Sequence, residues 1–338
     1  MKYRPEIDGL RALAVMPVIL FHAGFDLFRG GYIGVDIFFV ISGYLITTLI
    51  IEEIENKTFS IIGFYERRAR RILPALLLVV LITIAFAWPM LLPNDLIGFF
   101  ESVYSVSTFS SNILFWIRTD YFDTASELKP LLHTWSLAIE EQYYLFFPIF
   151  LILGWRFGKN RVFWIIVVLA IISLFLSDYA SRNHPDANFY LAPTRVWELF
   201  SGSIVAFILQ KYEVEKSNKL SLLGLATTIF AVFIYDEYTP FPSFYALAPI
   251  LGVILIIVFA HKDTFVAKIL SIKLLVGIGL ISYSAYLLHH PIFSLLKYRY
   301  GHELPTLTKI LAICVTLLVA VITYFFVEKK FRKNNRKF

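Results

Sequence analysis

Apolar stretches of about twenty residues, long enough to cross a bilayer, recur along this chain from one end to the other. They fall at about 10–28, 33–51, 72–92, 135–154, 162–178, 191–210, 220–235, 244–260, 273–291 and 306–327. The fold class they predict is all-α, a polytopic integral membrane protein with about ten transmembrane helices. Composition agrees, since 58% of the 338 residues are hydrophobic and only 17% charged, a balance no soluble domain has. The single Cys314 sits in an apolar stretch, which leaves no disulfide framework and no cysteine metal site. The N-terminus lacks a small-residue cleavage site and a second span follows almost at once, so the first helix is expected to stay in the mature protein.

The formal charge of +6 is read as topology rather than as nucleic-acid binding. With the N-terminus in the cytoplasm, 23 of the 31 Lys and Arg fall in inner segments and 8 in outer ones. That asymmetry predicts cytoplasmic N- and C-termini. Residues 94–117 resist assignment, because they are moderately apolar but rich in Ser and interrupted by Glu101. If they spanned, the basic loops at 155–161 and 211–219 would face out, so they are placed as an interfacial or partly re-entrant helix within an outer loop, 93–134. No linker, repeat or low-complexity run divides the chain, and one domain over 1–338 is expected.

Against this apolar background the ionisable residues stand out, because a charge inside a membrane is costly without a role or a partner. In the first span Arg11 and His22 are eleven residues apart, almost three helical turns, and share a face about 16 Å apart along the axis. Asp36 opens the second span. In the fourth, His133, Ser136, Glu140 and Tyr144 share a face, with Glu141 about 100° round from Glu140. The sixth opens with Arg195 and Glu198, and the ninth closes with Tyr286, His289, His290 and Pro291. Five spans thus bring His, carboxylate and Arg to similar depth on the outer side, a setting for general acid–base chemistry. The plainer readings stand beside this one. An Arg195–Glu198 pair also serves to hold helices together, and His184 and His290, near helix ends, read as interfacial. On the inner side lie Arg67, Arg68, Arg70 and Arg71. By default they anchor the chain against anionic lipid. Alternatively, Arg67 with Arg70 or Arg68 with Arg71, each pair three apart on a helix, presents two forks to a polyphosphate.

Taken together, Arg11-x10-His22, the run Gly34-Val35-Asp36-Ile37-Phe38-Phe39-Val40-Ile41-Ser42-Gly43-Tyr44-Leu45, the Arg67–Pro74 segment, His133-Thr134-Trp135-Ser136-Leu137 with Glu140-Glu141-Gln142, Arg195-Val196-Trp197-Glu198-Leu199 and Ser282–Pro291 resemble the membrane acyltransferase-3 family. The match covers nearly the whole chain. The opening Tyr3–Ala12 looks most like the bacterial branch that modifies surface polysaccharides, and like the membrane domain of acyltransferase–SGNH fusions. The resemblance implies transfer of an acyl group, usually from cytoplasmic acetyl-CoA, to a sugar hydroxyl of O-antigen, peptidoglycan or exopolysaccharide across the bacterial cytoplasmic (inner) membrane. It implies that Arg11 and His22 are needed for activity, and that Arg68 and Arg71, or the offset pair Arg67 and Arg70, are functional. It implies acyl-CoA as donor, with no metal. Many members of the family it resembles continue into a periplasmic SGNH-type domain; none is expected within 1–338, and if transfer to the final sugar needs one, a separate periplasmic SGNH-type partner is expected to supply it.

The expected mechanism has His22 as general base or transient acyl carrier, oriented by Glu140, Glu141 or Asp36, with Glu140 preferred. Arg11, Arg67, Arg68, Arg70 and Arg71 bind the donor, and His133, Ser136, Arg195, Glu198, Tyr286 and His289 bind the acceptor. The competing class is a multi-span transporter or flippase, but no internal repeat or matched pair of broken helices supports it. A structural or sensor protein would not need so many inward-facing ionisable groups. Glycan, membrane lipid and acyl-CoA are the expected partners, and nucleic acid is not.

Overall fold

A backbone in hydrocarbon has to satisfy its own N–H and C=O groups, and a helix does so within one segment. In a computed structural model that describes residues 3–118, 126–301 and 303–332, no strand occurs among the described residues. In order, the helices are α1 (Pro5–His22), α2 (Gly34–Glu55), α3 (Ile61–Met90), α4 (Pro93–Ser107), α5 (Ser111–Ile117), α6 (Thr134–Trp155), α7 (Lys159–Asn183), α8 (Pro185–Tyr190), α9 (Ala192–Lys211), α10 (Asn218–Ile234), α11 (Leu247–Phe259), α12 (Phe265–Leu270), α13 (Lys273–Tyr300) and α14 (Thr306–Thr323). A 3-10 segment, Asp26–Ile33, joins α1 to α2, and a π turn, Tyr324–Glu328, follows α14. The starts are chemically marked. Proline fills the first turn of α1, α4, α8 and α9, where its missing N–H costs nothing. Ser60, Ser217 and Thr264 cap α3, α10 and α12 with side-chain oxygens.

Among the described residues six segments are long and apolar enough to cross a membrane: 26–55, 61–90, 134–155, 159–183, 273–300 and 306–332. Helices α1 and α9 are not among them, because Glu6, Asp8, Arg11, Arg195 and Glu198 dilute their apolar character. Their surroundings account for this. The apolar window of 26–55 is 78% buried and that of 306–332 only 22%, so α2 is central and α14 peripheral. Helices α3, α7, α10 and α14 turn Leu, Ile, Phe and Trp outward, as a lipid-facing surface requires. Helices α1, α2 and α9, with polar groups inside, are sheathed by the others.

The central helices approach closely because they lack side chains where they cross. A Cβ on Gly43 of α2 would lie 1.9 Å from the Leu199 carbonyl oxygen of α9, and one on Gly279 of α13 would lie 1.8 Å from the Asp8 oxygen of α1. Small residues at such crossings let backbones pack where no hydrophobic drive operates between helices.

Several boundaries differ from the sequence expectation: α1 runs Pro5–His22 rather than 10–28 and α7 Lys159–Asn183 rather than 162–178, and three further differences bear on the polar residues. Helix α3 begins at Ile61, not 72, so the arginine run is inside a helix rather than before it. Helix α13 does not close at Pro291 but runs on to Tyr300. Proline removes one backbone hydrogen bond there, and a helix packed inside a bundle tolerates this. Residues 94–117 form two helices, α4 and α5, broken at Thr108–Ser110, where Phe109 takes a positive φ of 53°. Helix α5 docks onto the bundle through Ser111 to the Thr134 carbonyl and Asn112 to the Tyr190 carbonyl.

Candidate active site

Two chambers lie along α1, one reached by Arg11 and the other by His22. The first, about 80 Å³, brings Arg11 together with Arg68 and Arg71 of α3, Glu140 and Tyr144 of α6, and Tyr286 of α13. The register within the arginine run follows from α3. Its outward face carries Arg67, which pairs with Glu53 at 2.8 Å, and Arg70, which pairs with Glu66 at 2.6 Å. Its inward face carries Arg68 and Arg71. Arg68 Nε is buried without a hydrogen-bond partner, and among the described residues the ion pair of Arg11 is with Asp8, at 3.7 Å. Three guanidinium groups thus converge with donors to spare. Glu140 is already engaged, accepting from Ser42 Oγ and from Tyr144 OH.

The second chamber, about 450 Å³, is lined by His22, His133, His290, Asp36, Arg195 and Tyr286, among others. Three imidazoles, His22, His133 and His290, crowd its wall, and that of His289 packs behind them. His22 lies 4.9 Å from His289 and 5.1 Å from His290, and His133 stacks on His290 at 5.2 Å, ring centroid to centroid. Their tautomers follow from their backbone partners, since a carbonyl only accepts. His22 Nδ1–H donates to the Val18 carbonyl at 2.8 Å, and His289 Nδ1–H to the Tyr286 carbonyl at 2.5 Å. On both rings Nε2 keeps its lone pair. His289 Nε2 and both nitrogens of His133 are buried without a partner. Among the described residues no group of three or more His, Cys, Asp or Glu is arranged to hold a metal ion.

Beside the imidazoles lies a fully buried ion triad. Arg195 reaches Asp36 at 3.1 Å and Glu198 at 3.2 Å, all three side chains at most 1% exposed. The guanidinium is also enclosed by Trp135, Phe39, Phe189 and Phe241 at 5.2–5.9 Å from their ring centres. Asp36, near the start of α2, joins the pair that the sequence suggested between Arg195 and Glu198.

The residues expected at one depth therefore divide. On α6, seven residues separate His133 from Glu140, about 10 Å of helix, so His133 enters the histidine chamber and Glu140 the arginine chamber. Glu141 opens into a third crevice with Arg68, Tyr65 and Gln142. None of Glu140, Glu141 and Asp36 is hydrogen-bonded to His22, and that ring packs against Phe21, His289 and His290. His184 is exposed at a helix end. His290 is not interfacial but 3% exposed against His22, because α13 continues beyond it. The available signal was its spacing, four residues from Tyr286 on a common helical face. Lys297, which pairs with Glu127 at 2.6 Å on the rim of the histidine chamber, was missed for the same reason. Ser42, a donor to Glu140, was missed because it lies in the apolar middle of α2.

Residues 4–325 match the acyltransferase domain known as acyltransferase 3. The chain belongs to the acyltransferase-3 family. It is similar to the peptidoglycan O-acetyltransferase OatA of Listeria monocytogenes serovar 1/2a, 37% identical over 356 residues that cover 98% of this chain and 56% of that protein. It is also similar to the O-acetyltransferase OatA of Staphylococcus aureus strain NCTC 8325, 33% identical over 99% of this chain and 58% of the relative. The chain thus spans a little over half the length of the curated relatives it matches. No solved structure matches it. Spanning-length helices and family membership together make this acyltransferase-3 protein a multi-pass membrane protein.

Proposed function

We propose that this acyltransferase-3 domain moves an acetyl group from cytoplasmic acyl-CoA to a hydroxyl of a bacterial cell-surface glycan. The observation that carries the reading is the pair of chambers on one helix, with arginines in one and imidazoles in the other. In this reading ten helices (α1, α2, α3, α6, α7, α9, α10, α11, α13 and α14) cross the inner membrane, with both termini cytoplasmic. The arginine chamber then opens to the side that holds acyl-CoA, and Arg11, Arg68 and Arg71 bind its phosphates as planar forks. Arg67 and Arg70, already paired with Glu53 and Glu66, contribute little.

His22 supplies the reacting lone pair. Its Nδ1–H is held by the Val18 carbonyl, so Nε2 is free to act. As general base, Nε2 takes the proton of the sugar hydroxyl while the oxygen attacks the thioester carbonyl and CoA thiolate leaves. As acyl carrier, Nε2 attacks the thioester first and CoA thiolate leaves; the sugar oxygen then attacks the acyl-imidazolium, the imidazole leaves neutral, and the hydroxyl proton passes to the CoA thiolate. No carboxylate of the expected set touches the imidazole, so its orientation comes from the backbone and from His289 and His290. The Arg195 triad braces α2 against α9 behind the site and presents Asp36 and Arg195 to the acceptor. Relatives named for peptidoglycan O-acetylation make peptidoglycan the leading acceptor class, and a periplasmic SGNH-type hydrolase domain is the expected partner for final delivery.

The test uses membranes containing the protein, labelled acetyl-CoA and the cell's own glycan. His22→Ala is expected to abolish labelling at unchanged abundance. Arg71→Ala is expected to raise the KM for acetyl-CoA about tenfold or more, while Arg67→Ala, whose guanidinium is already paired with Glu53 at the surface, stays within about fivefold, since an exposed pair is worth at most about 1 kcal/mol. Full activity in His22→Ala, or movement of substrate without acyl transfer, would overturn the proposal.

A further inference from the structure

The arginine and histidine chambers share two lining residues, Val35 and Tyr286. Val35 belongs to α2 and is held in the bundle wall. Tyr286 is a side chain that crosses from one helix to another. Its hydroxyl makes a 2.6 Å hydrogen bond with Ser136 Oγ of α6 and donates to the His133 carbonyl at 2.9 Å. Its ring lies 6.2 Å from Phe38, a wall of the arginine chamber, and 5.5 Å and 5.2 Å from His133 and His289 on the histidine side. The tyrosine therefore touches the wall of the arginine chamber and the imidazoles of the other. The ring is latched at its tip by a serine on a neighbouring helix.

We propose that Tyr286, latched by Ser136 and backed by Phe38 and Val35, is the septum between the two chambers, and that it sets the size of the acyl group that reaches His22. The inference rests on the donor and acceptor reading above and adds to it a specificity-determining residue. For an acyl group held on the arginine side to meet the imidazole, its carbonyl has to pass the edge of this ring. A two-carbon group places one methyl against the Tyr286 and Phe38 rings. A six-carbon chain has to lay four further methylenes into the same gap, and those rings leave that space filled. Discrimination by an apolar wall is worth about tenfold or more per methylene when the wall does not yield. The hydroxyl latch makes the wall firm, because swinging the ring breaks two hydrogen bonds in a site with few replacement partners.

The experiment measures free CoA released, with label appearing on glycan, from acetyl-, butyryl- and hexanoyl-CoA in membranes containing the full chain. The protein as it stands is expected to favour acetyl over hexanoyl by at least about a hundredfold. Tyr286→Ala is expected to collapse that ratio by about tenfold or more by admitting the longer chains, whatever its effect on the acetyl rate. Tyr286→Phe keeps the ring and is expected to keep the preference for acetyl. Phe38→Ala opens the other wall of the gap, and its ratio is expected to move the same way, which preserves the test if Tyr286→Ala does not fold. A folded Tyr286→Ala or Phe38→Ala protein with an unchanged acyl-length ratio would overturn the septum while leaving the donor reading intact. An unsubstituted protein that transfers no acyl group from any of the three donors would overturn the donor reading, and the septum with it.

Discussion

Arg195 shows how differently buried and exposed charges behave in this protein. It is 1% exposed, bound to two carboxylates from two helices and enclosed by four aromatic rings. Arg67 makes a shorter ion pair, 2.8 Å, but at the surface. Shortness is not strength, because water competes for the exposed pair and cannot reach the buried one. Arg195→Met is expected to leave Asp36 and Glu198 facing each other without a cation, at a cost of about 3–5 kcal/mol. Asp36→Asn keeps the Arg195–Glu198 pair and is expected to cost clearly less. Thermal unfolding of the two variants in detergent would show the order, and equal losses would remove the triad as a structural brace.

At the scale of the helix, spacing along α13 decides what is sensitive. Gly277 and Gly279 are two residues apart. A methyl on Gly277 meets nothing within 4 Å, while one on Gly279 would lie 1.8 Å from the Asp8 carbonyl oxygen of α1. Gly277→Ala is expected to be neutral, or to stabilise by up to about 1 kcal/mol through helix propensity. Gly279→Ala has to push α1 from α13 and so separate His22 from His289 and His290, which sit on those two helices. Acyl transfer is expected to fall by about tenfold or more, with a stability loss of about 1–3 kcal/mol. Equal activity in the two variants would show that the α1–α13 crossing does not set the imidazole geometry. The same helix shows why Pro291 misleads as a stop signal. In water a proline usually ends a helix, but within a packed bundle the helix carries on, and with it His290 and Lys297.

At the scale of the whole molecule, the buried core is mainly apolar but encloses Asp36, Arg195, Glu198 and the histidines, while the outer faces of α3, α7, α10 and α14 expose large apolar side chains, as a lipid-facing surface requires. Its orientation can be tested with single cysteines, because Cys314, on the exposed face of α14, is the only one in the sequence. In a Cys314→Ser background, Glu213→Cys in the α9–α10 connection is expected to resist a membrane-impermeant maleimide in intact cells. Glu237→Cys, in the connection before α11, is expected to react. The opposite pattern would reverse the membrane orientation and put the arginine chamber on the wrong side for cytoplasmic acyl-CoA.

The helical class, the membrane setting, the family and the residues of interest can all be read from the amino-acid order, because each follows from local composition, run length or motif. Arg11 and His22 share a face of α1 through helical geometry alone, and the one-sided excess of Lys and Arg predicts an orientation. Only the tertiary structure decided which of these residues meet. It turned Arg68 and Arg71 inward rather than Arg67 and Arg70, because the crossing of α3 with its neighbours fixes the rotation of that helix. It gave Asp36 to Arg195, put Glu140 with the arginines, and surrounded His22 with histidines. Those outcomes depend on how deeply helices slide past one another and how each is turned about its axis. Both are set by contacts between residues far apart in the chain, such as Gly279 against Asp8 and Gly43 against Leu199, and no periodicity within a single helix records them.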